Sequence, residues 1–237
     1  MKWIIAGLAS LFAVSGFAAP TASDYYKIST VKTELLQSGP STQQELMDLN
    51  PGNCGGALKA QGDQVIFDLS IGAVSVIVDQ VINVGKKIWD IVQAGKPVMN
   101  MQFDVATALP QGTQCWIQLE NWKTPISQVY RVSATNGYGF NVVTFDYRVL
   151  YIYGGSYKGQ GNYIGYATTQ PANVSVAWGF TLNAKGSVPV VMNAGTAAAP
   201  VGAMQLNMNY TISTAIGTTE QTQAYYINGL GDFKILN

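Results

Sequence analysis

The carboxylates on the strand-patterned part of this chain that could serve as catalytic groups are Asp104, Glu120, Asp146 and Glu220, and two of them meeting across a cleft would suit glycoside hydrolysis. Nothing in their spacing pairs them. Asp146 stands two positions before Arg148 on one face of an alternating segment, so an exposed ion pair is the expected use of that carboxylate. The chain has no histidine, which removes the usual proton shuttle near neutral pH and the commonest metal ligand. Ser-His-Asp and Cys-His arrangements go with it. The expectation is a protein that is not an enzyme and that uses neither cofactor nor metal.

Its two cysteines, Cys54 and Cys115, lack the Cys-x-x-Cys spacing of a redox pair and the company a zinc site needs. They are expected to form a structural disulfide, closing a loop of about 60 residues and restricting the unfolded chain by about 4 kcal/mol.

Binding chemistry is carried by aromatic residues. Residues 154–165 read Gly-Gly-Ser-Tyr-Lys-Gly-Gln-Gly-Asn-Tyr-Ile-Gly, a glycine-rich loop by composition. A strand pattern follows it, whereas a phosphate cradle would open a helix. Tyr157, Tyr163 and Tyr166 are therefore candidates to stack on a sugar ring or to sit at a lipid headgroup boundary, the alternative being rings folded back on the core. Trp116 and Trp122 bracket Glu120 close to Cys115, as anchors of a binding face or as packing beside a disulfide. Trp178 falls within an alternating run and reads as core.

The elements that must position these residues are mainly strands. Residues 64–69, 98–106, 115–119, 128–134, 140–153, 174–183, 188–192, 204–213 and 224–227 carry the alternation or β-rich composition of strands, with Asn136-Gly137 marking a hairpin. Val143, Phe145, Tyr147, Val149, Tyr151 and Tyr153 share one face of the longest run. Residues 71–94 break this habit: Val74, Val78, Val81, Ile82, Gly85, Trp89 and Val92 recur at three-and-four spacing before Gly95-Lys96-Pro97, which predicts one long amphipathic helix. Its wide apolar surface is expected to pack on the sheet, rather than face a membrane or a partner helix. A short helix is expected at residues 41–49, where Ser41 and Glu45 supply N-terminal signals, and a strand or turn at residues 25–33. The fold class is thus an antiparallel β-sandwich, or a partly closed barrel, with one long helix on it. Three units follow: a leader over residues 1–18, an N-terminal arm over 19–62, and a β-domain over 63–237.

The leader has a lysine at position 2, an apolar run over residues 4–14 and small residues at Gly16 and Ala18, the three parts of a secretory signal peptide of bacterial type. Its run is shorter than a membrane-spanning helix requires. A secreted or periplasmic location is the expectation. Lys and Arg number 13 against 13 Asp and Glu, with no basic stripe, so nucleic acid is excluded as a partner. Charged residues make up only 11% of the chain and hydrophobic ones 48%, which leaves a surface built largely from Asn, Gln, Ser, Thr and Gly around a sizeable core.

The expected function is that of an exported binding or structural protein that meets a glycan, an envelope component or a partner protein. Two alternatives place it at a membrane. One is a pore-forming protein whose charge-poor segment at residues 174–183 rearranges, and the other an outer-membrane barrel, which the chain's lack of a terminal aromatic disfavours.

Overall fold

Alternation that puts every second side chain on one face is realised almost everywhere it was read, and the resulting strands are long. The computed structural model describes residues 21–42, 58–61, 64–67, 75–93, 96–97 and 104–236. In chain order the elements are α1 Ala22–Tyr26, β1 Ile28–Pro40, β2 Leu58–Gln61, β3 Gln64–Phe67, β4 Ile77–Ile82, β5 Ile88–Gln93, β6 Lys96–Pro97 and β7 Ala106–Gln111. A 3-10 turn at Trp116–Gln118 precedes β8 Ile126–Asn136, β9 Asn141–Tyr157, β10 Gln160–Val176, β11 Thr181–Asn193, β12 Gly202–Ser213, β13 Thr218–Asn228 and β14 Phe233–Leu236. The expected leader, the helix over most of residues 41–49, Cys54 and most of the strand at 98–106 lie outside the described residues.

Two six-stranded antiparallel sheets result, ordered β1-β8-β9-β10-β7-β4 and β14-β13-β12-β11-β5-β6, with β2-β3 as a separate hairpin. Phe145, Tyr147, Val149 and Tyr151 of the first sheet and Leu182, Leu206, Met208, Tyr210 and Tyr225 of the second belong to one buried cluster, so the sheets share a core. Each of these large side chains contributes on the order of 1.5–3 kcal/mol on leaving water, which is how a chain so poor in charge holds its sheets together.

The long helix expected at residues 71–94 is not formed. β4 and β5 occupy residues 77–93 instead, in different sheets, with a turn between them. Two short alternations that fall out of phase across a turn imitate helical spacing: Trp89 and Ile91 point inward while Ile88 and Asp90 point out. Valine and isoleucine, stiff at χ1, favour the strand outcome. The turn itself is specified by two residues. Asn83 Oδ1 accepts the backbone N–H groups of Gly85 at 2.9 Å and Thr107 at 2.8 Å. At Gly85 a Cβ would lie 2.1 Å from the Val105 carbonyl oxygen, so only glycine fits.

Three further expectations are corrected. Residues 174–183 are not one strand: β10 ends at Val176, β11 starts at Thr181, and Gly179 with φ +82° turns the chain between them. Residues 154–165 are not a loop either. They are the ends of β9 and β10, closed by a two-residue turn at Lys158 (φ 51°) and Gly159 (φ 75°), the double left-handed geometry of a tight hairpin. At Cys115 the chain enters the 3-10 turn Trp116–Gln118 where a strand was expected.

Candidate functional site: an aromatic end

Register places three turns at the same end of the molecule. β8 ends at Asn136 opposite Ile28, where α1 leads into β1, and β10 ends at Val176 opposite Val143 near the start of β9. In the second sheet Thr181 pairs with Ser213, and Ser213 with Thr218. The turns at residues 137–140, 177–180 and 214–217 and helix α1 therefore lie together.

This end is built from aromatic rings. Tyr25 packs edge-on against Tyr26 at 5.1 Å between centroids and against Phe180 at 5.6 Å, and stands 6.4 Å from Tyr138. Tyr26 lies 6.4 Å from Trp178 and 6.3 Å from Phe180, while Tyr138 meets Phe140 edge-on at 6.1 Å. Phe180 is buried at the root of the group. Its outer members are not covered: Trp178 is 79% exposed, Phe140 62% and, from the third turn, Ile216 56%. Alternation alone assigned Trp178 to the core, and the glycine after it was the signal that the strand ends there.

The exposed rings stand on a braced frame. Tyr25 donates to the Trp178 carbonyl at 3.1 Å, and Tyr138 donates to the Thr21 carbonyl at 2.7 Å. Gly137 N–H donates to the Asp24 carbonyl at 2.9 Å, so α1 is fastened to two of the turns. Asn136 Oδ1 accepts the N–H groups of Tyr138 and Phe140, both at 3.0 Å, and Thr214 Oγ1 accepts those of Ile216 at 3.3 Å and Gly217 at 3.1 Å. Residues 136–141, 177–181 and 213–218 contain no charged side chain. Asp24 and Lys27 of α1 and its C-cap stand beside them, with exposed Glu220 two positions beyond the third of these segments, and the backbone and side-chain hydrogen bonds from Thr21 hold the Asp24 carboxyl below its ordinary range.

The residues singled out from sequence sit elsewhere, in and over the outer face of the first sheet. Trp116 meets Trp122 edge-on at 6.0 Å and Tyr166 at 6.1 Å, in a cluster with Val105, Leu150 and Ile152. Tyr166 is buried, and burial pushes its hydroxyl up beyond the ordinary phenol range. Tyr163 is buried with Leu109 and Leu119, donates to the Val78 carbonyl, and is pushed up to about 12 by burial first and by Asp79 second. Tyr157 is half-buried beside that cluster, with the Lys158 ammonium 5.4 Å from its ring. The glycines explain this packing. A Cβ at Gly155 would stand 2.2 Å from the Trp122 indole and one at Gly165 2.9 Å, so the glycine-rich hairpin is the seat of a tryptophan. Cys115 is buried at the edge of this region, and its expected partner Cys54 lies outside the described residues.

The carboxylates are dispersed. Asp146 is buried and accepts two bonds from Arg131 on the neighbouring strand, at 2.7 and 2.8 Å, where Arg148 of its own strand was the expected partner. Residues directly opposite across a ladder are closer than residues two apart along a strand. Asp104 lies 3.5 Å from the Lys86 ammonium, Glu120 is exposed beside the 3-10 turn, and Glu220 is exposed on β13 in the other sheet. Among the described residues no three Asp, Glu or Cys side chains gather as a metal site, and no helix is long and apolar enough to cross a membrane.

A cleft of about 370 Å³ opens at the far end of the molecule, between the end of β1 and the turn before β14, lined by Ser38, Thr124, Gln128, Tyr151, Tyr153 and Phe233 among others. Its polar groups are partly spent internally: Gln128 Oε1 accepts from Tyr130 at 2.7 Å, and Tyr151 donates to the Gly231 carbonyl at 3.2 Å.

No family model, curated protein or solved structure matches the chain.

Proposed function

We propose that this is an exported, non-enzymatic binding protein that meets its target through the aromatic end. One observation carries the reading: Trp178 and Phe140, two of the largest apolar side chains in the molecule, are held out in water by a hydrogen-bonded frame. Exposing them forfeits burial worth about 1.5–3 kcal/mol each, a cost that binding a surface or partner would recover. The leader motivates the exported destination, and the pairing of Cys54 with Cys115 remains part of the proposal.

The test is retention of the mature protein on envelope material and on a glycan array, wild type against a Trp178→Ser, Phe140→Ser double variant. Loss of retention in the variant, with an unchanged circular dichroism spectrum, supports the reading. Equal retention of the two proteins removes it.

A glycan has a second candidate place, the cleft at Tyr153 and Phe233. Its volume falls at the small end of the range for ligand sites, and its aromatic wall with nearby hydroxyls suits a single sugar ring. Tyr153→Ala should then abolish glycan-array binding that the double variant at the other end leaves intact.

A further inference from the structure

We propose that the aromatic end seats itself in the interface of an electrically neutral lipid bilayer. This rests on the reading of that end as the binding surface and names what it binds. Four features of the end converge.

Its outermost groups are an indole, two phenol or phenyl rings and an isoleucine, projecting from three separate turns. Tryptophan and tyrosine partition to the headgroup boundary because each joins an apolar body to a polar tip.

The projecting groups form prongs. A glycan site is concave and offers converging hydrogen-bond groups, and here the hydroxyls of Tyr25 and Tyr138 are already donated inward. Protein interfaces of comparable aromatic content draw on arginine, and the three turns carry none.

The turns' backbone is prepared for a medium short of water. Most of its N–H groups, those of Gly137, Tyr138, Gly139, Phe140, Ala177, Phe180, Thr214, Ile216 and Gly217, have partners within the molecule, and those of Trp178, Gly179 and Ala215 at the turn tips are the exceptions. An unsatisfied backbone group carried out of water costs several kcal/mol, so turns that satisfy most of their own donors enter the interface at lower cost.

Charge selects the lipid. With no charged residue in the three turns, and only Asp24, Lys27 and Glu220 beside them, the end has no net positive field with which to draw anionic headgroups and no charge in the turns to desolvate on contact with neutral ones. Association is then driven by apolar area, and it is shallow, because the turns are only a few residues long and the strands behind them carry polar side chains such as Thr144 and Thr219.

Sedimentation with phosphatidylcholine vesicles tests this, read together with quenching of tryptophan emission by brominated phosphatidylcholine. The wild type should bind, keep its binding when salt is raised, and show quenching that Trp178→Phe removes. Trp178→Ser with Phe140→Ser should lower partitioning about tenfold or more, a loss of at least about 1.4 kcal/mol. Both side chains are solvent-exposed, so the fold is not at stake, and Ile216→Ser gives an independent third probe.

Binding confined to anionic vesicles and abolished by salt overturns the inference. So does an absence of vesicle binding. If the double variant meanwhile loses retention on a glycan or an envelope protein, the aromatic end stands as the binding surface and only the bilayer is wrong. If the variant retains every activity of the wild type, both readings fall.

Discussion

The hydroxyl of Tyr25 donates to the carbonyl of Trp178 at 3.1 Å, joining α1 to a turn 153 positions further along the chain. That bond holds the most exposed tryptophan of the described residues to a helix whose own ring, Tyr26, packs beside the indole. Tyr25→Phe keeps the ring packing and deletes the donor. Because the bond is solvent-accessible, the expected loss of stability is about 1 kcal/mol or less. The larger effect should appear in Trp178, whose fluorescence anisotropy falls as the turn loosens. Unchanged anisotropy would show that ring packing alone fixes the turn.

Two glycines at this end separate backbone strain from steric collision. Gly139 and Gly179 have nearly the same φ, +81° and +82°, but a Cβ at Gly139 meets nothing within 4 Å while one at Gly179 would lie 2.6 Å from the Tyr26 ring. Gly139→Ala should cost only the left-handed backbone penalty, about 1–2 kcal/mol. Gly179→Ala should cost more and should also displace Tyr26, seen as an altered near-ultraviolet circular dichroism spectrum. Equal urea midpoints for the two variants would show that Tyr26 gives way freely.

The Arg131 and Asp146 pair is asymmetric, since Asp146 is buried and the guanidinium side is 37% exposed. The Asp146 hydrogen bonds hold the Arg131 guanidinium above its ordinary range, followed by the charge of Asp146 itself. Arg131→Ala leaves a buried carboxylate without its partner, whereas Asp146→Ala leaves a cation that can turn to water. Arg131→Ala should therefore be the more destabilising, by about 1–3 kcal/mol over Asp146→Ala. The reverse order in urea denaturation would mean that water reaches the carboxylate.

Strand type was legible wherever alternation ran unbroken, as in β8, β9 and β12, because a sheet with one buried face imposes period two on its side chains. It failed where a turn interrupted the run. At residues 83–87 and 177–180 the decisive facts are tertiary: Thr107 and Val105 close around Asn83 and Gly85, and Tyr26 closes against Gly179. The ligand candidates Trp116 and Trp122 were chosen because they bracket Glu120 close to Cys115, and Tyr163 and Tyr166 as aromatic residues of a glycine-rich stretch. Their glycines serve packing, since Gly155 and Gly165 make room for Trp122, and no local pattern separates that from a flexible loop. The aromatic end needed register. Tyr25, Tyr138, Phe140, Trp178 and Ile216 are scattered over the chain and become neighbours only when β1, β8, β9, β10, β11 and β12 are aligned. The one local hint was the charge-free composition of the three turns.

Alkaline pH should unfold this protein through its buried phenols. Tyr147 and Tyr225 share a hydrogen bond of 2.5 Å inside the common core, with the Tyr130 ring 5.6 Å from the first and 5.1 Å from the second. Burial pushes Tyr130 up to about 12, and it pushes Tyr147 and Tyr225 higher still. Their unfolded values lie near 10, so above about pH 10 the unfolded chain gives up protons that the folded chain keeps. Fewer protons bound in the unfolded state means that stability falls as pH rises. The contribution is complete below about pH 10 and is lost through the range up to and beyond 12. Phenolate absorbance from these residues should rise in one cooperative step that coincides with loss of near-ultraviolet circular dichroism. Tyr147→Phe leaves the Tyr225 hydroxyl unpartnered at a cost of about 1–3 kcal/mol, and so brings that step to lower pH. Gradual ionisation of Tyr147 and Tyr225 with the folded spectrum intact would show that solvent already reaches the space between the sheets.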